Sequence, residues 1–210
     1  MKISILGAGG NIGQRITREA ALRKHDLHLI TSKPISFFKL ENTPTTVVDI
    51  FDTEALANAL KDSDLIISAY APPLDNPAKL STASESILGA VKKNAQRLIV
   101  VGGAGSLLIG KNELLVDSPN FPEAYKGVAL AHKDALYNIY RKSEGVNWTN
   151  VSPAAYIFEG EKTGQFRIGK DNLIANEKGE SSISMEDFAV AILDEVDNKQ
   201  FSNQRFTVGY

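Results

Sequence analysis

At 210 residues the chain is long enough for one domain with a substantial core, and 43% apolar with 23% charged residues is an ordinary globular composition. Lys+Arg 23 against Asp+Glu 25 leaves a net charge of -2, so no global field draws nucleic acid or an anionic membrane surface. Cysteine is absent, which excludes disulfides, thiolate metal sites and a cysteine nucleophile together. There is no signal-peptide pattern and no apolar run of the ~18 residues a membrane span needs, so a cytoplasmic protein is expected.

In chain order, residues 3–6 are apolar on both alternating faces and read as a buried parallel strand. Glycines follow at once, then a helix over 11–23 with Ile12, Ile16 and Ala20 on one side. Strands are expected at 27–31 and 46–48, a short helix over 53–60 capped at Thr53, and a strand at 65–69 ended by Pro72-Pro73. A helix over 78–93 and a strand at 98–101 continue the alternation, and Gly102-Gly103-Ala104-Gly105 stops it. Residues 106–122 lose all periodicity and read as a covering loop. A long helix over 123–142 and a strand at 148–151 follow.

The last quarter changes character. Residues 156–164 read as loop, 166–168 and 181–183 as short extended pieces, and Ser184 with Asp187 as a capping-box analogue opening a helix. Residues 205–208 close with a strand. Strand–helix alternation with short crossovers predicts an α/β, doubly wound, mostly parallel sheet. One domain over 1–210 is expected, with 155–183 forming a small lobe on the substrate side.

The segment Gly7-Ala8-Gly9-Gly10-Asn11-Ile12-Gly13 lies between an apolar strand and a helix. That context suits a dinucleotide, because it leaves free backbone N–H groups at a helix N-terminus to hold a pyrophosphate. No Lys-Ser/Thr pair follows the glycines, so this is not the ATP-binding loop of that kind. At the end of the second strand stand Ser32 and Lys33, with no acid to take the ribose hydroxyls. NADP is therefore expected over NAD, with Arg15 and Arg18 as secondary helpers; the alternative reading of Lys33 is a solvated surface lysine. Asp49 either accepts from the adenine amino group or simply serves its turn.

These glycines, Val100-Val101-Gly102-Gly103-Ala104-Gly105, Trp148-Thr149-Asn150-Val151-Ser152-Pro153 and Ser184-Met185-Glu186-Asp187-Phe188-Ala189 together resemble the atypical short-chain dehydrogenase/reductase group. Within it, the chain is similar to the small NAD(P)H-binding proteins of the NmrA-like and biliverdin reductase B-like type, often described as NADH-flavin reductases. The resemblance spans essentially the whole chain and implies a Rossmann-like domain. It implies a pyrophosphate at Gly7, Gly10, Asn11, Ile12 and Gly13, and the adenosine ribose or its phosphate at Ser32 and Lys33. Asp49 and Ile50 would flank the adenine, Ser68, Ala69 and Tyr70 the inner ribose, and Pro153 and Ala154 the nicotinamide. A substrate would lie among Tyr70, Gly103, Ser106, His132, Tyr156 and Phe158.

The conventional members of that superfamily place a proton-donating tyrosine four residues before a lysine. Here Lys133 fits the lysine, but Ala129 stands in the tyrosine place and Tyr125 is a turn too far back. The candidates left for catalysis are His132, Lys133 and Ser106. His132 has an ordinary pKa near 6.5, suited to proton donation if it faces the pocket, or it is a satisfied helix-surface histidine. His25 and His28 lie away from the glycine edge, and no metal site is expected. Two functions remain open. One is NAD(P)H-dependent hydride transfer to a flavin, quinone or similar planar acceptor, with Tyr70, Tyr156 and Phe158 as stacking surfaces or as plain packing. The other is a non-catalytic NADP-binding redox sensor similar to NmrA. Neither needs nucleic acid or membrane, and either suits a monomer or homodimer.

Overall fold

The strands β1 (Lys2–Leu6), β4 (Leu65–Ser68) and β5 (Arg97–Val101) are buried along nearly their whole length, as interior parallel strands covered on both faces must be. The computed structural model describes residues 1–34 and 43–210. It adds β2 (Asp26–Thr31), β3 (Thr45–Val47), β6 (Asn147–Ser152), β7 (Tyr156–Phe158), β8 (Arg167–Gly169), β9 (Ser182–Ser184) and β10 (Gln204–Gly209). The helices are α1 (Asn11–Leu22), α2 (Thr53–Leu60), α3 (Lys79–Lys93), α4 (Glu123–Asp134) and α5 (Met185–Asn198).

The eight-stranded sheet runs β3-β2-β1-β4-β5-β6-β10-β8. Every pair in it is parallel except β10 with β8. The fold is thus the Rossmann-like α/β arrangement, and chain order reverses between β1 and β4, where such sheets open a crevice. One face packs Ile3, Ile5 and Ile67 against Ile16 and Ala20 of α1 and Phe188 and Ile192 of α5. The other packs Leu6, Ile66 and Leu98 against Leu56 of α2 and Ile87 and Val91 of α3.

Several local expectations change. The cap of α2 is Asp52, whose Oδ1 accepts from Glu54 N (3.1 Å) and Ala55 N (3.0 Å), while Thr53 donates to Ser86 Oγ at 3.0 Å. The helix expected over 123–142 is α4 followed by a π turn (Ala135–Ile139) and a 3-10 turn (Tyr140–Lys142). This brings Tyr140 into the core beside Trp148, ring centroids 6.2 Å apart. Within the expected loop 156–164, β7 forms a two-stranded sheet with β9. Within the span 155–183, β8 pairs with β10 at the edge of the main sheet.

The capping box of α5 is half formed. Ser184 Oγ accepts from Asp187 N at 3.0 Å, but the buried Asp187 carboxylate turns away from the Ser184 backbone. It accepts from the Thr163 hydroxyl (2.6 Å), Gly164 N (2.8 Å), the Tyr210 hydroxyl (2.7 Å) and Thr163 N (2.9 Å). Burial alone would raise the pKa of Asp187, and these donors hold it below the usual carboxylate range. The strap 159–164 is thereby fastened to the first turn of α5, and the pairs Arg15–Glu159 and Lys162–Glu19 tie it to α1.

Candidate functional site

The turn after β1 is built by glycine chemistry. Gly7 has φ +74, and a Cβ there would stand 2.8 Å from Ala69 O. Gly10 N donates to Gly7 O at 3.0 Å and closes the turn. A Cβ on Gly13 would lie 2.1 Å from Gly7 O, so the first turn of α1 can rest on the loop only because residue 13 has no side chain. The first helical bond is Gln14 N to Gly10 O at 2.9 Å, which leaves the N–H groups of Asn11, Ile12 and Gly13 outside the helical ladder. Gly10 supplies the N-cap without a capping side chain, and no acid stands in the first turn. Uncapped donors at the positive end of the helix suit a pyrophosphate.

From this turn a cleft of about 680 Å³ extends along the carboxyl ends of the strands. Its floor is Gly10, Asn11, Ile12, Ala69 and Tyr70, with the 101–105 glycine segment. Pro153, Ala154 and Ile157 form one wall and Phe121, Tyr125, Val128, Ala129 and His132 the other. Among the described residues no Lys, Arg, Asp or Glu lines it.

Of the expected site residues, Gly10, Asn11, Ile12, Ala69, Tyr70, Gly103, His132, Pro153 and Ala154 come together in this cleft. Gly7 and Gly13 support it from beneath. Ser32 and Lys33 are exposed just past the end of β2. Asp49 Oδ1 accepts from Phe51 N at 3.0 Å, the turn role of its two readings, while Ile50 is buried. Ser68 is buried and faces a smaller inner cavity. Tyr70 meets Phe51 edge-on at 6.3 Å, which fixes its ring. Burial raises its phenol pKa.

Of the expected substrate and catalytic residues, four lie outside. Ser106 is buried and accepts from Arg205 Nη1 at 3.0 Å, so its hydroxyl serves an internal arginine. Tyr156 and Phe158 stack on each other, centroids 5.6 Å apart, on the side of β7 opposite Ile157. Strand alternation sends Ile157, not the two aromatics, to the cleft. Lys133 is a neighbour of His132 on α4 but is not part of the lining. Arg15 is also committed elsewhere, to Glu159 (2.7 Å) and Glu186 (2.9 Å).

The wall made by Tyr125, Val128, Ala129 and His132 was not anticipated as a unit. Its signal is present, because these positions follow the i, i+3, i+4, i+7 spacing of one helix face. His132 resolves to the cleft, but burial without a charged partner pushes its pKa down to about 4. At neutral pH it is a neutral imidazole, a hydrogen-bonding group more than an acid.

Comparison with known proteins agrees with this geometry. The profile of the NAD(P)H-binding family matches residues 7–199. The chain is 36% identical over 215 residues to YwnB of Bacillus subtilis, covering 99% of this chain and 98% of that one. A Burkholderia pseudomallei structure described as a "putative exported protein" superposes with a TM-score of 0.91 at 39% identity, covering 100% of both chains. One from Streptococcus pneumoniae TIGR4, described as a "putative NADH-flavin reductase", superposes with a TM-score of 0.88 at 32% identity, covering 100% of this chain and 99% of that one. Among the described residues no helix is long and apolar enough to cross a membrane. The chain therefore belongs to the NAD(P)H-binding family, and a nicotinamide dinucleotide is its cofactor.

Proposed function

We propose that the protein is an NADPH-dependent reductase of an uncharged planar acceptor such as a flavin ring or a quinone. The observation that carries this reading is the composition of the cleft. It runs on from the phosphate-binding turn, is large enough for a ring system, and among the described residues has no formally charged side chain in its lining. When bound, the reduced nicotinamide supplies a hydride. The chain's own part is to hold the pyrophosphate at Gly10, Asn11 and Ile12, to keep bulk water from the ring faces, and to orient the acceptor against Tyr70 and Tyr125. Ser32 and Lys33 would take the 2′-phosphate. With Ala129 in the tyrosine place and Lys133 off the lining, the alcohol-dehydrogenase proton relay has no residues here, and a flavin or quinone can take its proton from solvent.

Steady-state NADPH oxidation with riboflavin, FMN and a quinone panel tests the reading. Riboflavin and FMN should be turned over comparably, because beyond the turn that takes the cofactor's pyrophosphate the described lining has no charged side chain to hold the FMN phosphate. Absence of turnover above background with every acceptor would overturn it. The same Ala129 favours a second reading, a redox sensor whose NADP-bound surface recruits a protein. Pulldown with and without NADP distinguishes the two, since a sensor must show a partner that depends on the cofactor.

A further inference from the structure

Behind the cleft lies an enclosed inner cavity, walled by β4, α3, β5, α4 and β6. Its free volume is about 10 Å³, the room needed by the centre of one water molecule. Tyr70 and His132 line both spaces and form the partition between them. Besides Tyr70 and His132, four polar side chains line the inner side: Ser84, 1% exposed, Ser68, 2% exposed, and Asn150 and Tyr140, each 3% exposed.

Two of their atoms have no hydrogen-bond partner in the protein, Ser84 Oγ and Asn150 Oδ1. The Tyr140 hydroxyl approaches Ser84 without completing a well-aligned bond. Orphaned buried polar atoms are rare and costly, and two on residues that line one small cavity require an explanation. The glycines beside Asn150 and His132 leave room for those side chains alone. A Cβ on Gly102 would meet Asn150 Oδ1 at 2.3 Å, and one on Gly103 would meet His132 Cβ at 2.9 Å. The π turn starts at Ala135, itself part of the cavity wall, and such turns recur at functional sites.

We propose that this cavity is a one-water site that sets the tautomer of His132. The water accepts from the Ser84 hydroxyl and donates one proton to Asn150 Oδ1. Its second proton goes to the ring nitrogen of His132 on the cavity side. That nitrogen is therefore the unprotonated one, and the N–H of the neutral imidazole is directed at the cleft as a donor to the acceptor's carbonyl or ring nitrogen. Ser84 and Asn150 are positioning residues that act through the water. The kinetic part rests on the reductase reading above, whereas the water and the tautomer do not.

A high-resolution crystal structure of the full chain, with ¹⁵N NMR of the His132 ring, tests it. The expected result is density for one water within hydrogen-bond distance of Ser84 Oγ and Asn150 Oδ1, and a proton on the cleft-side nitrogen alone. Ser84→Val, which fills the cavity, should remove the density and leave a mixed tautomer. NADPH affinity should change by less than about twofold, the sites being separate. Turnover of a planar acceptor should fall about tenfold, the effect of losing one oriented hydrogen bond. A dry cavity in the wild-type density overturns the proposal, as does an unchanged tautomer in Ser84→Val. If no acceptor is turned over, the reductase reading fails, while density and tautomer still decide this one. If Ser84→Val does not fold, Asn150→Leu carries the same readouts, and the wild-type measurements need no variant.

Discussion

Gly13→Ala is the sharpest perturbation of the cofactor turn. The added Cβ would lie 2.1 Å from Gly7 O, 2.9 Å from Gly7 C and 3.0 Å from Ala8 Cα. Ordinary contact begins near 3.4 Å, so α1 and the turn must separate by about 1.3 Å at that point. The carbonyl cannot swing aside freely, because it accepts from Gly10 N and Gly7 is itself pressed on Ala69. Overpacking of this kind costs about 3 kcal/mol, which lowers Tm by roughly 6–12 °C in a chain of this size. A shift of about 1 Å in the first helical turn also misaligns its N–H groups, and NADPH affinity should fall roughly a hundredfold. Gly10→Ala is the control. A Cβ there would meet Gly7 O at 3.4 Å, an ordinary contact, so stability should hold while affinity falls through lost close approach to the pyrophosphate. Urea denaturation and calorimetric titration with NADPH measure both. If Gly13→Ala binds NADPH like wild type, the assignment of this turn to the pyrophosphate is refuted.

Lys33→Ala should weaken NADPH about tenfold and leave NADH nearly unchanged, as expected for an exposed charge pairing with a phosphate; equal losses in the two titrations would remove Lys33 from the 2′-phosphate site. His132, with its pKa at about 4 in the fold, should make stability fall as pH drops from 6.5 towards 4. Over that window the unfolded chain binds a proton that the native state refuses, a loss of about 3 kcal/mol by pH 4. Denaturation midpoints across the range should show this slope, and His132→Gln should flatten it; an equal slope in the variant would mean that carboxylates alone are responsible. Ala95 is exposed with φ 53 just after α3. Replacing it by Gly relieves the left-handed strain and should raise stability by about 1 kcal/mol, read as a higher midpoint; a lower one would show that chain entropy outweighs the strain.

The parts legible from sequence were those whose cause is local. The glycine turn could be read because positive φ at Gly7 and the close approach at Gly13 admit no other residue type. The wall of α4 was visible as a helix face at 125, 128, 129 and 132, although nothing in that spacing says which space it borders. Long-range partners were not visible. Ser106 is claimed by Arg205, 99 residues away. The parity of β7 is set by its pairing with β9, which turns Ile157 rather than Tyr156 and Phe158 to the cleft. The pKa of His132 was misjudged for the same reason, since the burial that depresses it comes from elements far apart in the chain.

The two ends of the large sheet have a bearing on how copies of this chain meet. In the described sheet both outermost strands, β3 and β8, are three residues long. An edge that short offers few free backbone groups to template a strand from another molecule, so sheet-to-sheet growth is blocked at both ends. Association of two copies would then have to use helix or loop surfaces. The cleft opens along the carboxyl ends of the strands and not along either edge, so access to it does not compete with protection against aggregation.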